Sequence, residues 1–161
     1  MTITTKITFN NYVKLMLILS FRNVRLILFS IIGINMLLLP LFYLTGLNDK
    51  TPYLTMILGL FVLIIPSVMV YISSKKNYAS NTRMQEKIIY EFTDEYIEIT
   101  GETFKTVMDW SKIYKILELR GWILIYQNIE VATIIPKASF GENITAFRKL
   151  VKSKNIKSKL Y

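Results

Sequence analysis

Two long uncharged apolar runs lie close together in the first half of the chain. The first covers Leu26–Leu47 and the second covers Thr51–Ser74. Each is longer than the roughly 20 residues that an α-helix needs to cross a bilayer. Because backbone amides in lipid must bond within their own segment, helices are the expected form of both runs. The sequence therefore predicts a transmembrane α-helical hairpin.

The segment between the two runs has the composition of a turn. Residues Gly46–Pro52 contain Gly, Asn, Asp and Pro, which favour turns. A connection this short makes the two helices antiparallel and places both chain ends on one side of the membrane. The positive-inside bias predicts a multi-pass inner-membrane protein with both termini in the cytoplasm. The basic residues that flank the hairpin are Arg22, Arg25, Lys75, Lys76 and Arg83.

Several catalytic designs are excluded by composition, since the sequence has no cysteine and no histidine. Disulfides, thiol nucleophiles, imidazole bases and zinc sites built from Cys or His are therefore ruled out. Asp94 and Glu95 are adjacent carboxylates, but no base or phosphate-binding glycine loop accompanies them. We therefore predict a protein that is not an enzyme and that has no cofactor and no metal site.

From Glu86 onward the apolar residues change from helical spacing to the alternation that is typical of strands. Turn residues separate the successive alternating segments, which predicts an antiparallel meander. The predicted strands are Lys87–Phe92, Tyr96–Thr100, Thr103–Met108, Ser111–Leu119, Trp122–Gln127 and Val131–Ile135.

The last segment returns to helical spacing. Ser139 and Glu142 have the spacing of a capping box, which predicts a helix that begins there. The apolar stripe of this helix includes Phe147 and Val151. We therefore predict an α+β domain at 84–161, in which a curved antiparallel sheet of the pleckstrin-homology (PH)-like type is capped by a C-terminal amphipathic helix.

The N-terminal arm combines a strand pattern with an apolar segment. Thr2–Phe9 alternates, so it can form a strand that joins the sheet of the later domain. Tyr12–Phe21 is mostly apolar and suits a helix that lies at the lipid interface or leads straight into the first span. The predicted organisation is an arm at 1–23, a hairpin at 24–74 and a cytoplasmic domain at 84–161.

Several different short motifs follow one another in the C-terminal half. They are Phe92–Glu95, Ile97–Thr100, Asp109–Ile113, Trp122–Tyr126 and Ile134–Lys137 with Phe140. Together they resemble the YcxB-like family. Its members are bacterial membrane proteins with two spans and a C-terminal cytoplasmic domain similar to bacterial PH domains. The resemblance, which extends to Phe9–Tyr12, implies this architecture for the chain and implies no activity. Ala138 departs from the family pattern, which often has a second basic residue after Pro-Lys.

The C-terminal tail carries the strongest concentration of surface charge. Its basic residues are Arg148, Lys149, Lys152, Lys154, Lys157 and Lys159. Near a bilayer, each attracts anionic lipid by about 1 kcal/mol. Cations also suit the exposed end of a helix, where they complement its dipole. The other predicted lipid or partner contacts are Lys137, Trp110 and Trp122, although Trp110 is better suited to a structural role as a plug for the open end of the sheet.

The main functional hypothesis is a membrane protein whose cytoplasmic domain binds a protein partner or the membrane surface, for example by adding a strand to an open sheet edge. An immunity or resistance protein that neutralises a bacterial toxin is the alternative. A small transporter or channel subunit is a second alternative, which the absence of ionisable residues in the spans disfavours. No nucleic-acid partner is expected. A homo-oligomer could form through Gly33 and Gly59.

Overall fold

The computed structural model of the protein describes residues 1–43 and 53–160. The chain divides into two compact units, which we call the helical unit and the sheet unit. The helical unit is Phe9–Ser80, and the sheet unit is Met1–Thr8 together with Asn81–Tyr161. The predicted turn at 46–52 lies outside the described residues.

The helical unit contains α1 (Phe9–Ser20), α2 (Val24–Tyr43) and α3 (Tyr53–Ser80). By length and composition, α3 is able to cross a membrane, and only 6% of its apolar window is buried. A core helix of a soluble protein would be mostly buried. A second candidate span consists of α1 and the part of α2 up to Pro40, with a bend of 81° between them. These findings indicate membrane association only weakly, and the cytoplasmic location of both termini stays a prediction.

The helices α2 and α3 pack together where two glycines meet. A Cβ atom at Gly33 would lie 2.9 Å from the Leu63 side chain. A Cβ atom at Gly59 would lie 3.0 Å from the Gly33 carbonyl oxygen and 3.0 Å from Cβ of Met36. Later residues of α2 thus meet earlier residues of α3, so the two helices run antiparallel. The glycines permit close contact within one chain, and homo-oligomerisation stays a prediction.

We expect Gly59→Leu to lower the stability of the helical unit by about 1–3 kcal/mol, the usual cost of overpacking. The new side chain would meet the backbone of Gly33, which cannot move aside as a flexible side chain can. Thermal loss of helical circular dichroism in detergent measures the effect. Gly121→Leu is the matched control, because a Cβ atom there meets nothing within 4 Å. Equal unfolding temperatures for the two variants would contradict close packing at Gly59.

The sheet unit contains two four-stranded sheets, in the orders β1-β2-β3-β4 and β7-β6-β5-β8. Every pairing is antiparallel except that of β5 with β8, which is parallel. The unit also contains the helices α4 (Thr82–Gln85) and α5 (Ile144–Ser153). The α+β class predicted for this region is therefore confirmed. The strands are β1 (Thr2–Thr5), β2 (Ile88–Phe92), β3 (Tyr96–Thr100), β4 (Lys105–Asp109), β5 (Lys115–Glu118), β6 (Trp122–Tyr126), β7 (Ala132–Pro136) and β8 (Ser158–Lys159).

The strand β1 precedes the helical unit in sequence and pairs with β2, which follows it. Thr2 lies opposite Glu91 and Thr5 lies opposite Ile88. Ile3 is buried in the core between the sheets. The N-terminal strand therefore joins the later sheet as predicted, although it ends at Thr5 because the chain turns into α1 at Phe9. In sequence, the helical unit is an insertion between two neighbouring strands of one sheet.

The core of the sheet unit is centred on three phenylalanine rings. Phe92 on β2 makes an edge contact with Phe147 on α5, with ring centroids 5.1 Å apart. Phe140 lies 4.8 Å from Phe147 and 5.9 Å from Phe92. Phe147 and Val151 are fully buried, which confirms the apolar stripe predicted for the C-terminal helix. The two sheets and α5 therefore share one core.

The predicted strand at Ser111–Leu119 is wrong in its first half. Trp110–Lys112 forms a short 3-10 helix that buries Trp110, and β5 begins only at Lys115. The requirement to bury a large indole ring has overridden the local alternation of this segment. The other predicted strands of the meander agree with the structure to within two residues at either end.

The predicted capping box at Ser139 and Glu142 is also wrong. Lys137–Asn143 forms 3-10 helix that is interrupted at Gly141, where φ is 51°. Right-handed helix cannot continue through a residue in this conformation, which glycine adopts without strain. The helix α5 begins after it, at Ile144, without a side-chain cap.

Candidate binding cleft

A cleft of about 350 Å³ lies between the two sheets of the sheet unit. Its apolar lining includes Ile88, Tyr90 and Ile99. Polar side chains, among them Thr106 and Thr133, also line it. A concave site of this size, mostly apolar with a few polar groups, is typical of ligand-binding pockets. We call it the β7 cleft, because three consecutive residues of β7 line it.

The cleft is open because one interior position of β4 is uncovered. Thr106 and Met108 lie opposite Ile99 and Ile97 of β3, so their side chains face the same side as these core residues. Met108 is buried, whereas Thr106 is exposed. The interior of the sheet unit is therefore unfilled beside Thr106.

Backbone hydrogen bonds at both ends of the β6–β7 pair define which groups of β7 are free. The Gln127 N–H donates to the Val131 carbonyl at 3.0 Å, and the Lys137 N–H donates to the Gly121 carbonyl at 2.9 Å. Residues that bond to the neighbouring strand alternate with residues that point away from it. Odd-numbered residues of β7 therefore bond to β6, and even-numbered residues face the free edge.

The free edge of β7 presents the backbone N–H and carbonyl groups of Ala132 and Ile134. Pro136 is also edge-facing, a position where the missing N–H of proline costs no sheet hydrogen bond. No described strand pairs with this edge. By the same alternation, the free edge of β4 presents Lys105, which is the kind of charge that blocks strand addition. The uncharged β7 edge lacks this protection.

The cleft carries one positive charge, since Arg83 is the single charged residue in its described lining. The Arg83 guanidinium lies 5.3 Å from the centroid of the Phe104 ring. Among the residues that the structure describes, it makes no hydrogen bond or ion pair. Burial raises the pKa of Tyr90, so this lining residue stays neutral.

Glu86 fixes the chain segment that follows Arg83. Its carboxylate accepts hydrogen bonds from the backbone N–H groups of Glu102 at 2.6 Å and Thr103 at 2.9 Å, and from the Thr103 hydroxyl at 2.5 Å. The Thr103 hydroxyl bond is the main reason that the pKa of Glu86 is lowered, and the two backbone bonds and the Arg83 charge add to it. The segment after α4 is thereby tied to the β3–β4 turn.

We expect Glu86→Gln to destabilise the sheet unit at neutral pH and to weaken its acid sensitivity. Because the folded-state pKa of Glu86 is lowered, the carboxylate stabilises the fold above its ordinary pKa. That contribution is lost as the pH falls through the lowered value. Urea midpoints measured between pH 3 and pH 7 test this. A variant with the same midpoints as the unaltered protein over this range would contradict the role of Glu86.

Two predicted contact residues, Lys137 and Arg148, come together on a buried carboxylate. Glu118 on β5 is fully buried, and Lys137 forms an ion pair with it. Arg148 on α5 donates from Nη2 at 2.6 Å and from Nε at 3.1 Å to the two oxygens. The hydrogen bond to Glu118 raises the pKa of Arg148. The sequence analysis did not predict Glu118 as a site residue. Its position could have indicated burial, because Glu118 falls on the same strand face as the buried Ile116.

The end of the basic tail is held beside the sheet. Ser158 and Lys159 form β8 beside β5, and the Ile116 N–H donates to the Lys157 carbonyl at 2.9 Å. Lys154 lies 3.4 Å from Asp94. The exposed cations without a partner among the described residues are Lys149, Lys152, Lys157 and Lys159. Their contact with lipid or a partner stays a prediction.

Both predicted contact tryptophans are buried. Trp110 is 5% exposed and Trp122 is 7% exposed. The Trp110 indole N–H donates to the Thr93 carbonyl at 3.0 Å, and its ring packs against Phe92. This position agrees with the predicted plug at the end of the sheet. The contact role of the two tryptophans stays a prediction.

A protein-family match falls within the sheet unit. The family described as YcxB-like protein matches residues 92–151. This segment is similar to the YcxB-like family. The YcxB-like segment runs from the end of β2 into α5, so it includes β7 and Glu118 but neither β1 nor the helical unit. No curated protein and no solved structure matches the chain.

Proposed function

We propose that this protein is a non-enzymatic inner-membrane protein whose YcxB-like domain captures an extended segment of a protein partner in the cytoplasm. The observation that carries the proposal is the unpaired, uncharged edge of β7 beside an open cleft. An extended segment can pair with the edge through its backbone and place alternate side chains in the cleft.

The topology of the chain supports anchoring by a hairpin. The strand β1 precedes the helical unit in sequence and β2 follows it, yet the two strands pair in one sheet. If the helices between them cross a membrane, the chain must therefore return to the side from which it started. An even number of crossings satisfies this condition, and antiparallel α2 and α3 provide two. Basic residues flank the apolar runs at both ends, which favours a cytoplasmic sheet unit.

The strand order supports a PH-like fold for the sheet unit. Seven strands in two antiparallel sheets, β1–β4 and β5–β7, are followed by one C-terminal helix that buries Phe147 between them. This is the arrangement expected of PH-like domains. In this interpretation the membrane hairpin is inserted between the first two strands of the domain. The exposed lysines of the tail would add contact with anionic lipid.

Strand addition is tested with edge-facing prolines. We expect Ile134→Pro to abolish partner capture, because it removes a free N–H from the β7 edge and leaves the bonds to β6 in place. Ile134→Ala keeps that N–H and should retain capture. A photo-crosslinking amino acid at exposed Val131, in cells that express the full chain, measures capture.

Val107→Pro is the matched control, since it removes an edge-facing N–H from β4. Both variants must retain native tryptophan fluorescence, which reports on the sheet unit because both tryptophans lie in it. Loss of capture in Ile134→Pro alone supports the proposal. The proposal would be overturned if both proline variants lost capture equally or if both kept it. It would also be overturned if no protein crosslinked at Val131.

A further inference from the structure

We infer that the β7 cleft selects the captured segment by its side chains, accepting a large apolar residue and preferring an acidic residue close to Arg83. This inference rests on the proposed strand addition at β7. It adds the chemistry of the partner, which the backbone edge alone cannot specify because every residue type has the same backbone groups.

The apolar preference follows from the unfilled interior of the sheet unit. Ile88, Tyr90 and Ile99 line a space of about 350 Å³ that no side chain of the described chain occupies. Thr106 faces this space and is exposed, although its strand neighbour on the same face is buried. Burial of an aromatic or branched aliphatic side chain there removes apolar surface of both partners from water.

The acidic preference follows from the state of Arg83. Its guanidinium is held beside the Phe104 ring, and none of its donors is used by a described residue. Glu86, three residues further along the chain, feels the Arg83 charge, but its carboxylate is already engaged by the Glu102 and Thr103 donors. A carboxylate from the captured segment would therefore meet an available, positioned cation.

A protein segment suits the cleft better than a lipid acyl chain. The backbone groups of Ala132 and Ile134 line or border the cleft and need hydrogen-bonding partners that a hydrocarbon tail does not offer. Thr106 and Thr133 add hydroxyls to the same lining. Only an extended polypeptide supplies backbone groups at the spacing of a strand together with an apolar side chain.

The test is a selection of random eight-residue peptides displayed on phage against the full chain in nanodiscs. We expect selected peptides to combine alternate large apolar residues with one Asp or Glu. Arg83→Glu should reverse the charge preference and select Lys or Arg at that place. Arg120→Glu is the matched control, because Arg120 is exposed and lies outside the cleft, and it should leave the preference unchanged.

Affinities of one selected peptide complete the test. We expect Arg83→Gln to weaken its binding by about three- to five-fold, as for an exposed ion pair. Thr106→Phe should fill the cleft and weaken binding further, whereas the near-isosteric Thr106→Val should not. Tryptophan fluorescence verifies that each variant is folded.

The outcomes separate this inference from the proposed function. Strand addition, and this inference with it, would be overturned if Ile134→Pro did not reduce peptide selection. The same would follow if no peptide were selected above the level of empty nanodiscs. Selection that depends on the β7 edge but shows no charge reversal in Arg83→Glu would overturn the inference alone. Binding of an anionic fatty acid that displaces selected peptides through Arg83 would make lipid the occupant and also overturn it.

Discussion

Replacing Glu118 with glutamine is expected to lower the free energy of unfolding of the sheet unit by about 3–5 kcal/mol. Glu118 is fully buried, and both Lys137 and Arg148 form ion pairs with its Oε1 atom. Breaking a buried ion pair is strongly destabilising, and here it leaves two partly exposed cations close together without the carboxylate between them. The neutral amide keeps one accepting oxygen, but its NH2 group replaces the second acceptor that Arg148 uses. Urea unfolding followed by tryptophan fluorescence measures the loss.

Glu98→Gln is the matched control for this prediction. Glu98 pairs with Lys105 at 2.7 Å on the surface, and the Lys105 side chain is 62% exposed. Surface ion pairs contribute little to stability, so the unfolding midpoint should hardly move. If both glutamine variants unfold at the same urea concentration, the Glu118 cluster does not hold α5 to the sheet.

Phe92→Ala is expected to cost about 3–5 kcal/mol, the usual range for truncating a buried phenylalanine. Phe92 is 2% exposed, and its ring contacts the rings of Phe140, Phe147 and Trp110. Its loss would leave a cavity at the point where β2, α5 and the Trp110 segment meet.

The control for Phe92 is Ile89→Ala on the same strand. Ile89 faces outward and is 41% exposed, so its truncation should change stability by well under the cost at Phe92. Chemical denaturation of both variants in one detergent gives the comparison. A cost at Phe92 no larger than that at Ile89 would show that the aromatic cluster is not the centre of the fold.

The Glu118 cluster bears on the proposed function through the tail. Lys137 and Arg148 form ion pairs with the buried Glu118 carboxylate. They therefore add less positive electrostatic potential to the protein surface than two unpaired cations would. The surface charge of the tail instead comes from Lys149, Lys152 and the lysines beside β8. The β7 edge carries no such charge, which separates a surface suited to lipid from an edge suited to a protein segment.

Local pattern predicted most elements of the sheet unit. Alternation predicted β2 and β3, because each of them buries one face and its buried residues recur at every second position. A continuous apolar run predicted β6, because both of its faces are buried. The stripe that contains Phe147 and Val151 located α5 in the same way. The capping-box prediction failed because Gly141 interrupts the helix, and nothing in the local spacing of Ser139 and Glu142 reports that conformation.

The sequence by itself determined the apolar helices, the strands, the amphipathic helix and the absence of cysteine and histidine chemistry, because periodicity and composition are local properties. Only the tertiary structure decided where β1 pairs, which cations surround Glu118 and that one edge of β7 stays free. Each of these depends on residues far apart in the chain. The β7 cleft has the same origin, since it exists where two sheets diverge beside Thr106 rather than in any one segment.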